Sequence, residues 1–201
     1  MKLWTIQSLE WYENLLKNEV IYADPAHINW FKEDNFALAY DWIIAEMEQR
    51  LEKRPQPNCY PIWAWYQWQD NQKRKPDLRF RGIGNKGEES VLLEIEKADN
   101  QVLLSDFELW HSVLNEWCIT DNEQEDDLFN QALASAGVDF GDKNAYPTEL
   151  RQQMIASWQK IFDMDYCSEY SSHPFEQKSI QATFWNLSLE EVRHVRFFTA
   201  K

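Results

Sequence analysis

The spacing of apolar residues changes several times along the chain, and each change marks an element. Leu3-Trp4-Thr5-Ile6-Gln7 is short and β-prone. It runs into Ser8-Leu9-Glu10-Trp11-Tyr12, where a capping serine and an early acid predict a helix after the strand. Residues 20–23 predict a second strand, stopped by Asp24-Pro25. From Asn35 onward, Phe36, Tyr40, Ile43, Met47 and Leu51 recur at steps of three and four, the period of a helix that ends before Pro55 and Pro57. Residues 60–68 alternate instead, with Tyr60, Ile62, Ala64, Tyr66 and Trp68 on one face and Trp63, Trp65 and Gln67 on the other.

Residues 78–81 and 91–96 predict strands on either side of a glycine-rich turn. Between 105 and 117 the helix signals are strong: Ser105 and Glu108 have capping-box spacing, Leu104 and Leu109 sit at staple positions, and Phe107, Trp110, Leu114 and Trp117 form a stripe. An acidic run (Asp121, Glu123, Glu125, Asp126, Asp127) precedes a short helix closing near Gly137, and another helix starts at Thr148. Residues 166–174 predict a loop, and 179–187 and 192–198 two final strands joined by Ser188-Leu189-Glu190-Glu191. Strands and helices are interspersed without a regular βαβ winding, so the pattern predicts an α+β fold.

Length and composition narrow the class. A chain of 201 residues suits a single domain over 1–201, and 44% apolar residues with eleven tryptophans exclude intrinsic disorder. Thirty-four acids against twenty bases leave a net charge of −14, which excludes a general coat for nucleic acid or anionic membrane. The first residues lack the apolar stretch of a signal peptide, and no window reaches a membrane span, so a cytoplasmic protein with no membrane contact is expected. Cys59, Cys118 and Cys167 are far apart and lack metal spacing, and His27, His111, His173 and His194 form no HExxH pair; no metal site is expected.

Charge is distributed unevenly, and this changes the picture. Lys73, Arg74, Lys75, Arg79, Arg81 and Lys86 fall within fourteen residues that hold one acid, Asp77, so residues 73–86 carry +5 and the remainder −19. Beside the aromatic run Trp63, Trp65, Tyr66 and Trp68, such a window predicts an anion site for a nucleotide or a nucleic-acid phosphate; a solvated charged hairpin gives the same pattern. Gly82-Ile83-Gly84-Asn85-Lys86-Gly87 matches GxGxxG, but Glu88-Glu89 and a strand follow where a phosphate-binding helix would have to begin, so a hairpin loop is expected. Glu94 and Glu96 share a strand face and are candidates for acid/base work.

Tyr60-Pro61-Ile62-Trp63-Ala64-Trp65, Val102-Leu103-Leu104-Ser105-Asp106-Phe107 and Gln181-Ala182-Thr183-Phe184-Trp185-Asn186 resemble, over nearly the whole chain, the bacterial family known as domain of unknown function 3841. More distantly, the strand with Leu3-Trp4-Thr5, the following helix and Val20-Ile21-Tyr22-Ala23 look like the start of an ADP-ribosyltransferase domain. The segment from Ile180 to Val195 is similar to the last strands of DarT-type nucleic-acid ADP-ribosyltransferases. That likeness implies two small packed antiparallel or mixed sheets with flanking helices, NAD as substrate, and transfer of ADP-ribose to a macromolecule, nucleic acid being the expected acceptor at 73–86. The setting it implies is a toxin or phage-defence effector with an antitoxin or other protein partner.

The same likeness implies NAD contacts from Trp4, Thr5, Tyr22, Trp63, Tyr66 and Arg79, and catalytic roles for Gln181, Thr183 and Asp106. Thr183 stands where the family carries its catalytic glutamate, and a threonine supplies no charge for an oxocarbenium-like cation. Asp106, Glu94 or Glu176 would have to serve; the alternative is a fold kept for binding, a non-catalytic interaction module. A phosphate-handling RNA enzyme is a third, lesser reading.

Overall fold

A computed structural model of the chain describes residues 1–23, 36–84 and 86–201; Asp24, Pro25, His27, Asn35 and Asn85 lie outside them. In chain order the elements are β1 (Lys2–Ser8), α1 (Leu9–Asn18), β2 (Val20–Tyr22), α2 (Ala37–Arg50), β3 (Ile62–Gln67), β4 (Glu89–Glu96) and β5 (Leu103–Asp106). There follow α3 (Phe107–Leu114), α4 (Glu123–Ser135), α5 (Thr148–Ser157), β6 (Ile180–Phe184), β7 (Asn186–Ser188) and β8 (Val192–Thr199). The chain divides into two compact units, Met1–Leu104 with Ile180–Lys201, and Ser105–Ser179.

The first unit carries the strands, and the α+β class expected from the pattern holds. Six strands form one sheet in the order β5-β6-β3-β1-β4-β8, antiparallel at β3·β6, β1·β3, β1·β4 and β4·β8. β2 and β7 pair antiparallel as a second, two-stranded sheet. One face of the large sheet buries Leu3, Ile62, Ala64, Val91, Leu93, Ile95, Ala182 and Phe184, together with Tyr12 and Leu15 of α1. Each of the Leu, Ile, Val and Phe side chains contributes about 1.5–3 kcal/mol on burial, and the two alanines less. α1 is held at its start by Ser8, whose Oγ accepts from the Trp11 N–H at 3.2 Å, as its sequence predicts.

Two expectations change in this unit, each for a local reason, and a third holds. The alternation of residues 60–68 breaks at a bulge between Trp65 and Gln67 in the pairing with β6, which turns Gln67 inward to 1% exposure. Residues 78–81 form turns and no strand. The Asp77 carboxylate accepts from the Arg79 N–H (3.0 Å) and its carbonyl from the Phe80 N–H (2.9 Å), so the backbone groups a strand would need are already used. The GxGxxG stretch is a loop, as expected: Gly84 and Gly87 take φ of +71° and +85°, the Gly87 N–H bonds the Ala200 carbonyl, and β4 follows two residues later.

The second unit is helical. Leu109, Trp110, Val113, Phe129, Leu133, Met154, Trp158 and Ile161 are buried within this stretch of the chain. Asp106, not Ser105, caps α3, accepting from the Glu108 and Leu109 N–H groups, because β5 runs on through Ser105 and a carboxylate is the stronger acceptor there. Glu123, Glu125 and Asp126 of the acidic run lie in the first turn of α4, capped by Asn122, where acids oppose the helix dipole favourably. Residues 166–174 are pinned from beneath by Lys178, whose Nζ donates to the Tyr166 carbonyl, to Ser172 Oγ and to the Asp106 carboxylate at 2.7–2.8 Å. Among the described residues no helix is long and apolar enough to cross a membrane.

Candidate functional site

Residues paired across a sheet point to the same face, and the register aligns a row of them on the side opposite the core. Gln181 faces Trp65, Trp65 faces Trp4, Trp4 faces Glu94, and Glu94 faces His194. Within the row, Trp4 Nε1–H donates to the Glu94 carboxylate at 3.1 Å and Lys2 Nζ reaches its other oxygen at 2.7 Å. Hydrogen bonding from Lys2, then from Trp4, holds the Glu94 carboxyl below the usual glutamate range.

The chain leaving β3 folds back over this row. The Asp70 carboxylate accepts from the Gln72 and Lys73 N–H groups, and the Trp68 N–H bonds the Arg74 carbonyl at 3.0 Å, closing a tight return. Arg74 is thereby laid across two rings, its guanidinium 4.3 Å from the Tyr66 centroid and 5.7 Å from that of Trp4, while its Nε–H donates to the Tyr66 carbonyl. Tyr66 sits at the β3 bulge, where its ring also packs against the hydrophobic core.

Beyond Arg74 the loop walls a concavity of about 830 Å³ lined by Trp68, Lys73, Arg74, Lys75, Arg79 and Phe80. The Phe80 ring is 58% exposed and stands edge-on against Trp68, with centroids 5.7 Å apart. Lys73 and Lys75 have no ion-pair partner among the described residues. Arg79 grips Asp77 at 2.6 Å, and that hydrogen bond pulls the Asp77 carboxyl down to about 2. The one acid of the window is thus neutralised in place. An exposed ring, a stacked guanidinium and two uncommitted ammonium groups can hold a planar base and a phosphate together.

Of the residues expected to bind NAD, Trp4 and Tyr66 come together under Arg74, and Arg79 lines the concavity beside them. Thr5 is fully buried, donating to the Trp63 carbonyl at 2.8 Å and accepting from Gln7. Trp63 pairs with Thr183 and packs edge-on against Tyr40, whose hydroxyl pKa is pushed up by burial. Tyr22 sits in the two-stranded sheet opposite Asn186.

Of the catalytic candidates, Gln181 is half-buried in the row, and Thr183 is fully buried with its hydroxyl on the Leu103 carbonyl at 3.3 Å. Asp106 belongs to the second unit, 1% exposed and filled by Lys178, Ser172 and two helix N–H groups. Arg81 and Glu176 are exposed. Arg74 was visible only as one base among six; the signal for its special position is the Asp70-Asn71 turn that reverses the chain after Trp68. Among the described residues no cluster of His, Cys, Asp or Glu is placed to hold a metal ion.

Compared with known protein families, residues 2–193 match the model for Domain of unknown function (DUF3841). No curated protein and no solved structure matches the chain.

Proposed function

The chain belongs to the DUF3841 family, a premise that carries no activity with it, and we propose from the site itself that the protein binds a nucleotide unit, free or within a single strand, in the concavity at residues 68–80. The observation that carries this reading is Phe80, a large ring left open to solvent among Lys73, Arg74, Lys75 and Arg79. A base stacks on Phe80 and the phosphate takes the ammonium groups of Lys73 and Lys75. Binding rather than catalysis is the primary role, because Thr183 and Asp106 are enclosed and committed to other partners. Free Cys59, Cys118 and Cys167 suit a reducing, cytoplasmic setting.

The test is a titration with a short oligouridylate and with AMP, followed by tryptophan fluorescence. Quenching is expected, with Phe80→Ala weakening affinity about tenfold or more, since stacking of one base contributes roughly 1–3 kcal/mol. Oligouridylate binding without AMP binding would assign the site to nucleic acid, and the converse to a free nucleotide. Binding of neither, or binding unchanged in Phe80→Ala, removes the reading.

One observation favours ADP-ribosyl transfer as a second reading: Glu94, an ionised acid, accepts a hydrogen bond from Trp4, over whose ring Arg74 lies. In this reading NAD enters the same concavity, Glu94 faces the ribosyl cation, and a nucleic acid accepts the ADP-ribose, as in a toxin or phage-defence effector with an antitoxin partner. Nicotinamide release that is lost in Glu94→Gln, with fold retained, would support it; no release with any nucleic acid would end it.

A further inference from the structure

β8 is the outer strand of the large sheet, paired with β4 on one side and, among the described residues, with no strand on the other. Its register slips only opposite Glu94 and Ile95, near Val192, and from His194 to Thr199 the pairing is regular. Every second residue of this stretch therefore presents its backbone N–H and C=O groups outward, while the others bond β4. Proline, bulges and charged side chains blunt edges against self-pairing; here residues 192–201 contain no proline, the bulge is confined to the start of the strand, and the charge is all basic, Arg193, Arg196 and Lys201 making this the basic margin of a chain with net charge −14.

The two faces of the edge differ. His194 and Arg196 lie on the side of the aromatic row, paired with Glu94 and Leu92. Arg193 is already tied to Glu96 and the Glu190 carbonyl, whereas Arg196 has no ion-pair partner among the described residues. On the core side Phe197 is 62% exposed and rests edge-on against Tyr12 at 5.9 Å; Leu16, one helical turn further along α1, is 48% exposed.

We infer that β8 is the docking edge for an extended segment of a partner protein in which acidic and apolar residues alternate. The segment adds a strand beside β8, its backbone completing the outward hydrogen bonds, its carboxylates meeting His194 and Arg196, and its apolar side chains covering Phe197 and Leu16. A second copy of the chain fits less well, since antiparallel self-pairing centred on Val195 sets His194 against Arg196, like against like. A nucleic acid would satisfy the bases and leave Phe197 and the backbone edge uncovered.

The probe is a peptide of about eight alternating Glu and Val residues, a typical strand length, with a Lys–Val peptide as control. Amide hydrogen exchange on the full chain is expected to slow at the outward-facing positions of 194–199 with the Glu–Val peptide only. Arg196→Glu and Phe197→Ser are each expected to weaken that binding about tenfold. If either variant fails to fold, the wild-type peptide affinity is read against salt, and it must fall as ionic strength rises. The inference is overturned by no slowing at about 1 mM peptide, by equal binding of the Lys–Val peptide, by self-association through β8, or by oligouridylate protecting the same amides.

Discussion

Hydrogen bonds from Lys2 and Trp4 keep Glu94 ionised to lower pH than an ordinary glutamate. A carboxyl whose pKa is depressed on folding contributes stability above its unfolded value, about 4.3, and loses it as pH falls through the lower folded value. Glu94→Gln is therefore expected to lower the melting temperature at pH 7, with the gap to wild type closing in acid below about pH 4; a gap that widens in acid contradicts the pairing. Thiol reactivity tests the same kind of environment. Burial pushes the Cys59 thiol up to about 11 and raises Cys118 as well, while Cys167 is exposed. A thiol reagent at pH 8 should label Cys167 first and Cys59 only on unfolding, as mass spectrometry of the labelled peptides would record.

Elements whose boundaries depend on one local signal were legible in the sequence. Ser8 caps α1 as expected, and the alternation of Val91, Leu93 and Ile95 places those residues in the core. The signals that misled were those with a competing partner nearby. Ser105 has the spacing of a capping box, but the next residue is a carboxylate that does the capping. Gln67 follows a clean alternation that a single bulge redirects inward, and no periodicity reveals a bulge. Asp106 reads as a catalytic acid only until Lys178, seventy-two residues away along the chain, is seen to fill it. Asp106→Ala should cost about 3–5 kcal/mol in denaturant unfolding, because it strands a buried ammonium group. Replacing both partners by apolar residues, Asp106→Leu with Lys178→Met, should recover much of that loss; equal loss in the double variant would show that the cap, not the ion pair, matters most.

For the whole molecule, charge asymmetry was the most informative property of the sequence, and the structure gives it a shape. The basic window is no strand pair but a folded-back loop, in which Asp77 is silenced by Arg79 and Arg74 is stacked on Trp4 and Tyr66. Lys73 and Lys75 are left to act on a ligand. A chain of net charge −14 repels polyanions elsewhere, so binding through this loop should be confined to few phosphates and weaken only moderately with salt. Two to three phosphate contacts correspond to a slope of roughly −1.5 to −2 in log affinity against log salt for a single strand.

That slope, measured by fluorescence titration with a short oligouridylate for wild type and for Lys73→Glu with Lys75→Glu, addresses the nucleotide-binding site most directly. The account predicts quenching in wild type, a shallow negative slope, and loss of binding in the double variant with an unchanged melting temperature. Wild-type binding that survives reversal of both lysines, or no binding at low salt, would contradict it.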